Sequence, residues 1–173
     1  MAPPRVVVMG VCGCGKSAVG EQFAQSLALR FVEGDTLHPP GNIERMARGV
    51  PLTDADRAGW LDAVAGVLAD ADGVVVACSA LRRRYRDRLR AAAPDLRFVH
   101  LHGDRALLEQ RLRDRRGHYM PAALLQSQLD TLEPPQADEA AVSLDIAQPL
   151  AALVAQARRA VQAAPDPDPD SNG

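Results

Sequence analysis

The chain has 173 residues, 47% of them apolar and 24% charged, with a formal net charge of −2. That length suits one domain with a real core, and so small a net charge gives no global pull toward nucleic acid or an anionic membrane surface. No apolar run approaches the ~18 residues that cross a bilayer, and the start, Met1-Ala2-Pro3-Pro4-Arg5, lacks the apolar segment of a signal peptide, so a cytoplasmic protein is expected.

Val6-Val7-Val8-Met9 is a short apolar run ending at Gly10, as in a buried parallel strand followed by a turn. Val19, Phe23 and Leu27 then fall at helical spacing, placing a helix over 16–29. A weak second strand, 30–33, leads to Gly34-Asp35, and His38-Pro39-Pro40-Gly41-Asn42 breaks the chain before helices over 43–48 and 54–69. A third strand, 74–78, precedes a helix through Arg90; strand 96–101 precedes helix 105–115; strand 140–146 precedes a closing helix, 149–163.

This alternation predicts an α/β fold with a five-stranded, mostly parallel sheet and helices on both faces. Residues 1–163 form the expected domain, with a polar, proline-containing lid around 116–136. The Pro/Asp-rich end, 164–173, is too polar to offset its ordering entropy and is expected to be disordered.

Gly10-Val11-Cys12-Gly13-Cys14-Gly15-Lys16-Ser17 matches G-x-x-x-x-G-K-[ST], between the expected strand and helix. Glycines let backbone N–H groups converge on a phosphate, and the following helix adds its positive end. Lys16 would bridge the β- and γ-phosphates, and Ser17 would ligate Mg²⁺. Lys16 is the only lysine in a chain whose other basic residues are arginines. A compact ammonium is not interchangeable with a planar guanidinium inside a tight loop, so the exception stands where the chemistry demands it. Cys12, Cys14 and Cys78 read as reduced thiols, since Cys-x-Cys without a second Cys/His pair is no zinc signature. The helix N-terminus also suggests that Cys12 and Cys14 have lowered thiol pKa values and are open to oxidation.

A switch GTPase would need N-K-x-D, which is absent, and a D-x-x-G after the third strand; Asp70 to Gly73 precedes that strand. A small-molecule kinase needs an acceptor group across the sheet. Asp35 follows strand two at the carboxyl end, where ligands gather in such sheets, and can take or orient the proton of an incoming hydroxyl. The basic run Arg82 to Arg90 is one stripe on an acidic chain, so no nucleic-acid partner is expected. Trp60 reads as a packing residue, and His100 and His102 as structural.

Several ordered blocks resemble the P-loop gluconokinases of bacteria: Met9 to Val19; Glu33-Gly34-Asp35-x-x-His38-Pro39-x-x-Asn42-Ile43-x-x-Met46; and Gly49-x-Pro51-Leu52-x-Asp54-x-Asp56-Arg57-x-x-Trp60-Leu61. Ala77-Cys78-Ser79-Ala80-Leu81-x-x-x-Tyr85-Arg86-Asp87, Arg116-Gly117-His118 and Asp145-Ile146-x-Gln148-Pro149-Leu150 continue the resemblance, which spans about 5–162. It implies ATP-dependent phosphorylation of D-gluconate at its 6-hydroxyl, in a cytoplasmic homodimer that uses ATP and Mg²⁺. The alternative is a shikimate-kinase-like enzyme acting on another small polyhydroxy acid.

The resemblance makes Asp35 the base or hydroxyl-orienting group. His38, Arg57 and Arg86 would hold the acceptor, Ser79 would line its pocket, and Gln148 with Pro149 would form the loop bordering adenine, through side chain or backbone alone. Arg111 and Arg115 or Arg116 flank the lid, and by analogy with related kinases one would lie over adenine and another would reach the γ-phosphate, with Arg111 a nucleotide-binding and Arg115 a catalytic candidate. Two positions depart from the family pattern: Glu33 stands where Asp is common, and Arg45 where Lys is common.

Overall fold

The structure is a computed structural model and describes residues 2–115 and 122–163. Five strands form one sheet in the order β2-β3-β1-β4-β5, where β1 is Arg5–Met9, β2 Phe31–Glu33, β3 Val74–Ala77, β4 Arg97–His102 and β5 Ala141–Asp145. All four pairings are parallel. Val6 to Met9 and Val74 to Ala77 are wholly buried, as expected where helices cover both faces and a strand needs no polar side.

Alternation divides the core in two. Val6 and Val8 face α1 (Lys16–Ser26), α5 (Arg105–Asp114) and α7 (Leu150–Gln162) through Phe23, Leu108 and Leu153. Val7 and Met9 face α3 (Asp54–Asp70) and α4 (Arg83–Ala92) through Trp60, Leu68 and Leu89. β1 connects to β2 at one edge while β4 connects to β5 at the other, so the carboxyl end of β1 opens into the crevice where such sheets bind ligands.

Two boundaries differ informatively from expectation. Helix α2 runs Pro40–Ala47, starting within the segment read as a break. Proline is admitted there because the N–H it lacks would have no partner in a first helical turn. Helix α3 starts where expected because Thr53 and Asp56 form a reciprocal capping box, with Asp56 N–H donating to Thr53 Oγ1 (3.1 Å) and Thr53 N–H to Asp56 Oδ2 (2.9 Å). Of the expected lid, α6 (Ala122–Thr131) is described, while Arg116-Gly117-His118 and the end of the chain, 164–173, lie outside the described residues.

Candidate active site

The strand-loop-helix expected at the N-terminus is present. Gly13 and Gly15 sit at φ of 85° and 92°, the left-handed region that glycine enters without strain. Gly15 caps α1 with no side-chain hydrogen bond, so the first-turn N–H groups are free to bind an anion. Lys16 Nζ donates to the Val11 carbonyl at 3.1 Å, which folds the ammonium back over the loop. Burial opposes the charge on Lys16, but surrounding anionic groups, Asp35 and Glu33 among them, outweigh it and raise its pKa. The Ser17 hydroxyl donates to the Glu33 carboxylate, joining the loop to the end of β2.

A cavity of about 310 Å³ opens over this loop, and Cys12, Gly13, Gly15, Lys16 and Ser17 line it. Gly10, Val11 and Cys14 stand behind them; Val11 and Cys14 are buried in the core. Across the cavity lie Asp35, His38, Arg57 and Ser79. Asp35 occupies a 3-10 turn, Gly34–Leu37, leaving β2. Gly34 lets that turn press on β3, since a Cβ there would collide with the Ala77 carbonyl oxygen. Trp60 fastens the turn from the other side, with Nε1 donating to the Gly34 carbonyl at 2.8 Å.

The indole of Trp60 also stacks on His38, with ring centroids 4.2 Å apart and planes 14° from parallel. His38 Nδ1 meets Asn42 Nδ2 at 3.2 Å, and the same amide nitrogen donates to the Asp56 carbonyl at 2.7 Å. Burial pushes the His38 pKa down, Asp35 opposes this and Arg57 adds to it, so the ring is neutral near neutral pH. Arg57 donates to the Tyr85 hydroxyl at 3.1 Å, and Tyr85 in turn donates to Asp54. One face of the guanidinium is thereby fixed while the residue still lines the cavity.

Arg111 and Arg115 also line the cavity. Arg111 is anchored by a 2.8 Å bond to the Ile146 carbonyl, and Arg115 is exposed just past the end of α5.

Two expected site residues are placed elsewhere. Arg86 is wholly buried and is not a pocket residue. Its Nε and Nη2 donate to Glu139 at 2.7 and 3.1 Å, and Nη1 donates to the Ala80 carbonyl at 2.9 Å, so no donor edge is offered to an acceptor. What it does instead is brace the turn after β3, where Ala80 takes a φ of 45° beside Ser79. The Gln148 side chain is not part of the cavity lining: its amide donates to the Asp145 carbonyl at 3.1 Å and accepts from Gln156 of α7.

At Cys12 the expectation of a lowered thiol pKa is also corrected. Burial pushes the Cys12 thiol up to about 11 and Cys78 up to about 12, so both are protonated and inert near neutral pH. Among the described residues all three cysteines are free and buried.

Three contributors were not legible as such: Trp60, read as packing alone; Glu139, the partner of Arg86; and Gln128 of α6. Gln128 lines the cavity and accepts from Cys12 N–H at 2.7 Å. The available signal was a polar residue on the same face of α6 as buried Leu124 and Leu125.

A parallel sheet, a glycine loop opening into a capless helix and a carboxylate across one cavity define a P-loop phosphotransferase. A family model described as an AAA domain matches residues 6–135. The chain is 48% identical to a gluconokinase of Gluconobacter oxydans, covering 80% of each chain, and 42% identical to a thermosensitive gluconokinase of Escherichia coli, covering 94% of this chain and 90% of that one. The crystal structure of a gluconokinase from Sinorhizobium meliloti is 52% identical, with a TM-score of 0.87 over 92% of this chain and 91% of that one. The chain belongs to the gluconokinase family.

Proposed function

We infer that the protein transfers the terminal phosphoryl group of ATP to the 6-hydroxyl of D-gluconate. The observation that carries this is the placement of Lys16 and Asp35 on one small cavity, with Arg57, His38 and Ser79 on the acceptor side, in a chain of this family. In that reading the N–H groups from Gly13 to Ser17 hold the phosphates, and Lys16 neutralises the charge that develops during transfer. Asp35 accepts the proton of the incoming hydroxyl, whose oxygen attacks the γ-phosphorus as the bond to the ADP oxygen breaks. Arg57 supplies the fork for the gluconate carboxylate, and neutral His38 supplies a ring nitrogen to a hydroxyl. Arg111 lies beside the nucleotide and Arg115 approaches the transferring group.

Mg²⁺ fits the donors present. Among the described residues no group of three or more His, Cys, Asp or Glu side chains forms a metal cage, but Ser17 and Glu33 bring two hard oxygens together at the loop. Magnesium is commonly held by one or two protein oxygens together with substrate phosphates, and there it would shield phosphate charge. The Glu33 side chain reaches Ser17 from the end of β2. We further propose a cytoplasmic homodimer, on the family resemblance; among the described residues no helix is long and apolar enough to cross a membrane. Phosphorus-carbon coupling in the NMR spectrum of the product tests the chemistry. Coupling to C6 is expected, and phosphorylation at another hydroxyl would exclude this placement of Asp35.

A further inference from the structure

The carboxamide of Gln128 is half engaged. Its Oε1 accepts from the Cys12 N–H at 2.7 Å, while its Nε2 makes no hydrogen bond among the described residues, although the side chain lines the cavity. A planar amide whose oxygen is pinned on the loop has its two N–H donors held beside that loop. Lys16 Nζ donates to the carbonyl of Val11, on the opposite edge of the peptide whose N–H Gln128 holds, so the amide and the ammonium that serves the β- and γ-phosphates bracket that peptide and line the same cavity. Cys12 N–H, having its acceptor, leaves the amides from Gly13 onward for the phosphates. Gln128 comes from α6, an element not otherwise bonded by a side chain to the loop among the described residues.

We propose that Gln128 is a terminal-phosphate contact: its Nε2 donates to the γ-phosphoryl group while Oε1 holds α6 on the loop. This rests on the P-loop kinase reading but not on the identity of the acceptor. A diphosphate has no group at that position, so Gln128 adds selectively to binding of the triphosphate and to stabilisation of the group in transfer.

The test is calorimetric titration of Mg²⁺ with the β,γ-imido analogue of ATP, and separately with ADP, into the whole protein without any acceptor. Gln128→Ala is expected to weaken analogue binding about tenfold, the worth of one hydrogen bond to a charged group, with ADP binding unchanged. Gln128→Glu keeps the shape and the bond from Cys12 but presents a carboxylate to phosphate, so it is expected to weaken analogue binding further. An unchanged ratio of analogue to ADP affinity in the two variants, whether both affinities persist or both fall, would overturn the proposal. Thermal unfolding of the two variants identifies any loss of fold, and Gln128→Glu then decides. Turnover of gluconate by the unaltered protein is a separate readout, so failure of the acceptor assignment leaves this result interpretable.

Discussion

Lys16 and Asp35 divide the chemistry between a cation that meets the leaving phosphates and an anion that meets the incoming hydroxyl. Lys16→Ala is expected to lower kcat on the order of 10³-fold, the scale of removing one preorganised charge-stabilising group. Asp35→Asn should abolish transfer while nucleotide affinity, measured by titration, is retained; near-normal transfer would remove Asp35 from the mechanism. These two residues were readable because their chemistry leaves a mark in one dimension: a unique lysine inside a spaced glycine motif, and a carboxylate just past a strand. Trp60 left no such mark. Its bond to the Gly34 carbonyl and its stack on His38 exist only after α3 packs against the turn carrying Asp35. The thiols misled for a related reason: proximity to a helix N-terminus is visible in sequence, whereas the burial that overrides it at Cys12 is not.

At the scale of elements, the turn after β2 and the turn after β3 decide whether the acceptor meets the phosphate. Gly34→Ala forces a Cβ against the Ala77 carbonyl oxygen and must displace the Asp35 turn. A drop of about 10²-fold in kcat with unchanged nucleotide affinity is expected, since misplacing a reacting group by ~1 Å costs that much. The second turn is braced by Arg86 on Glu139, partners 53 residues apart in sequence. Sequence blocks could show that Arg86 stands near the site but not which way its guanidinium points, because the deciding carboxylate arrives from the entry to β5. Burial raises the Glu139 pKa, yet hydrogen bonds from Arg86, the Gln136 backbone and Arg90 prevail and hold it at about 2. Helix α6 shows the same limit: the lid segment it belongs to was readable, its bond to Cys12 was not.

The whole molecule carries these local shifts as a dependence of stability on pH. Burial, with His102 and Arg86 nearby, lowers His100 to about 4. Above its ordinary value of 6.5 the folded and unfolded chains both hold the ring neutral, so His100 contributes no slope. As pH falls from 6.5 toward 4 the unfolded chain takes up a proton that the native chain refuses. Stability is expected to fall there by up to about 1.4 kcal/mol per pH unit from this group. His38 is shifted the same way and adds to the loss. Below 4.5 Glu139 joins them, because its carboxylate stabilises the fold above its unfolded pKa and that contribution is lost as pH falls toward 2. Urea unfolding at a series of pH values checks this, with His100→Gln expected to flatten the upper window; unchanged stability between 6.5 and 4 would contradict it.

The architecture itself was the most legible feature, since Val-rich strands alternating with amphipathic helices admit few other arrangements. The acceptor is set by Asp35, His38 and Arg57 on one cavity. The most direct measurement is kcat/KM from a coupled ADP-release assay across D-gluconate, shikimate, adenylylsulfate and nucleoside monophosphates. Turnover of gluconate far above every other acceptor is the predicted result, and equal or better turnover of any of the others would contradict it.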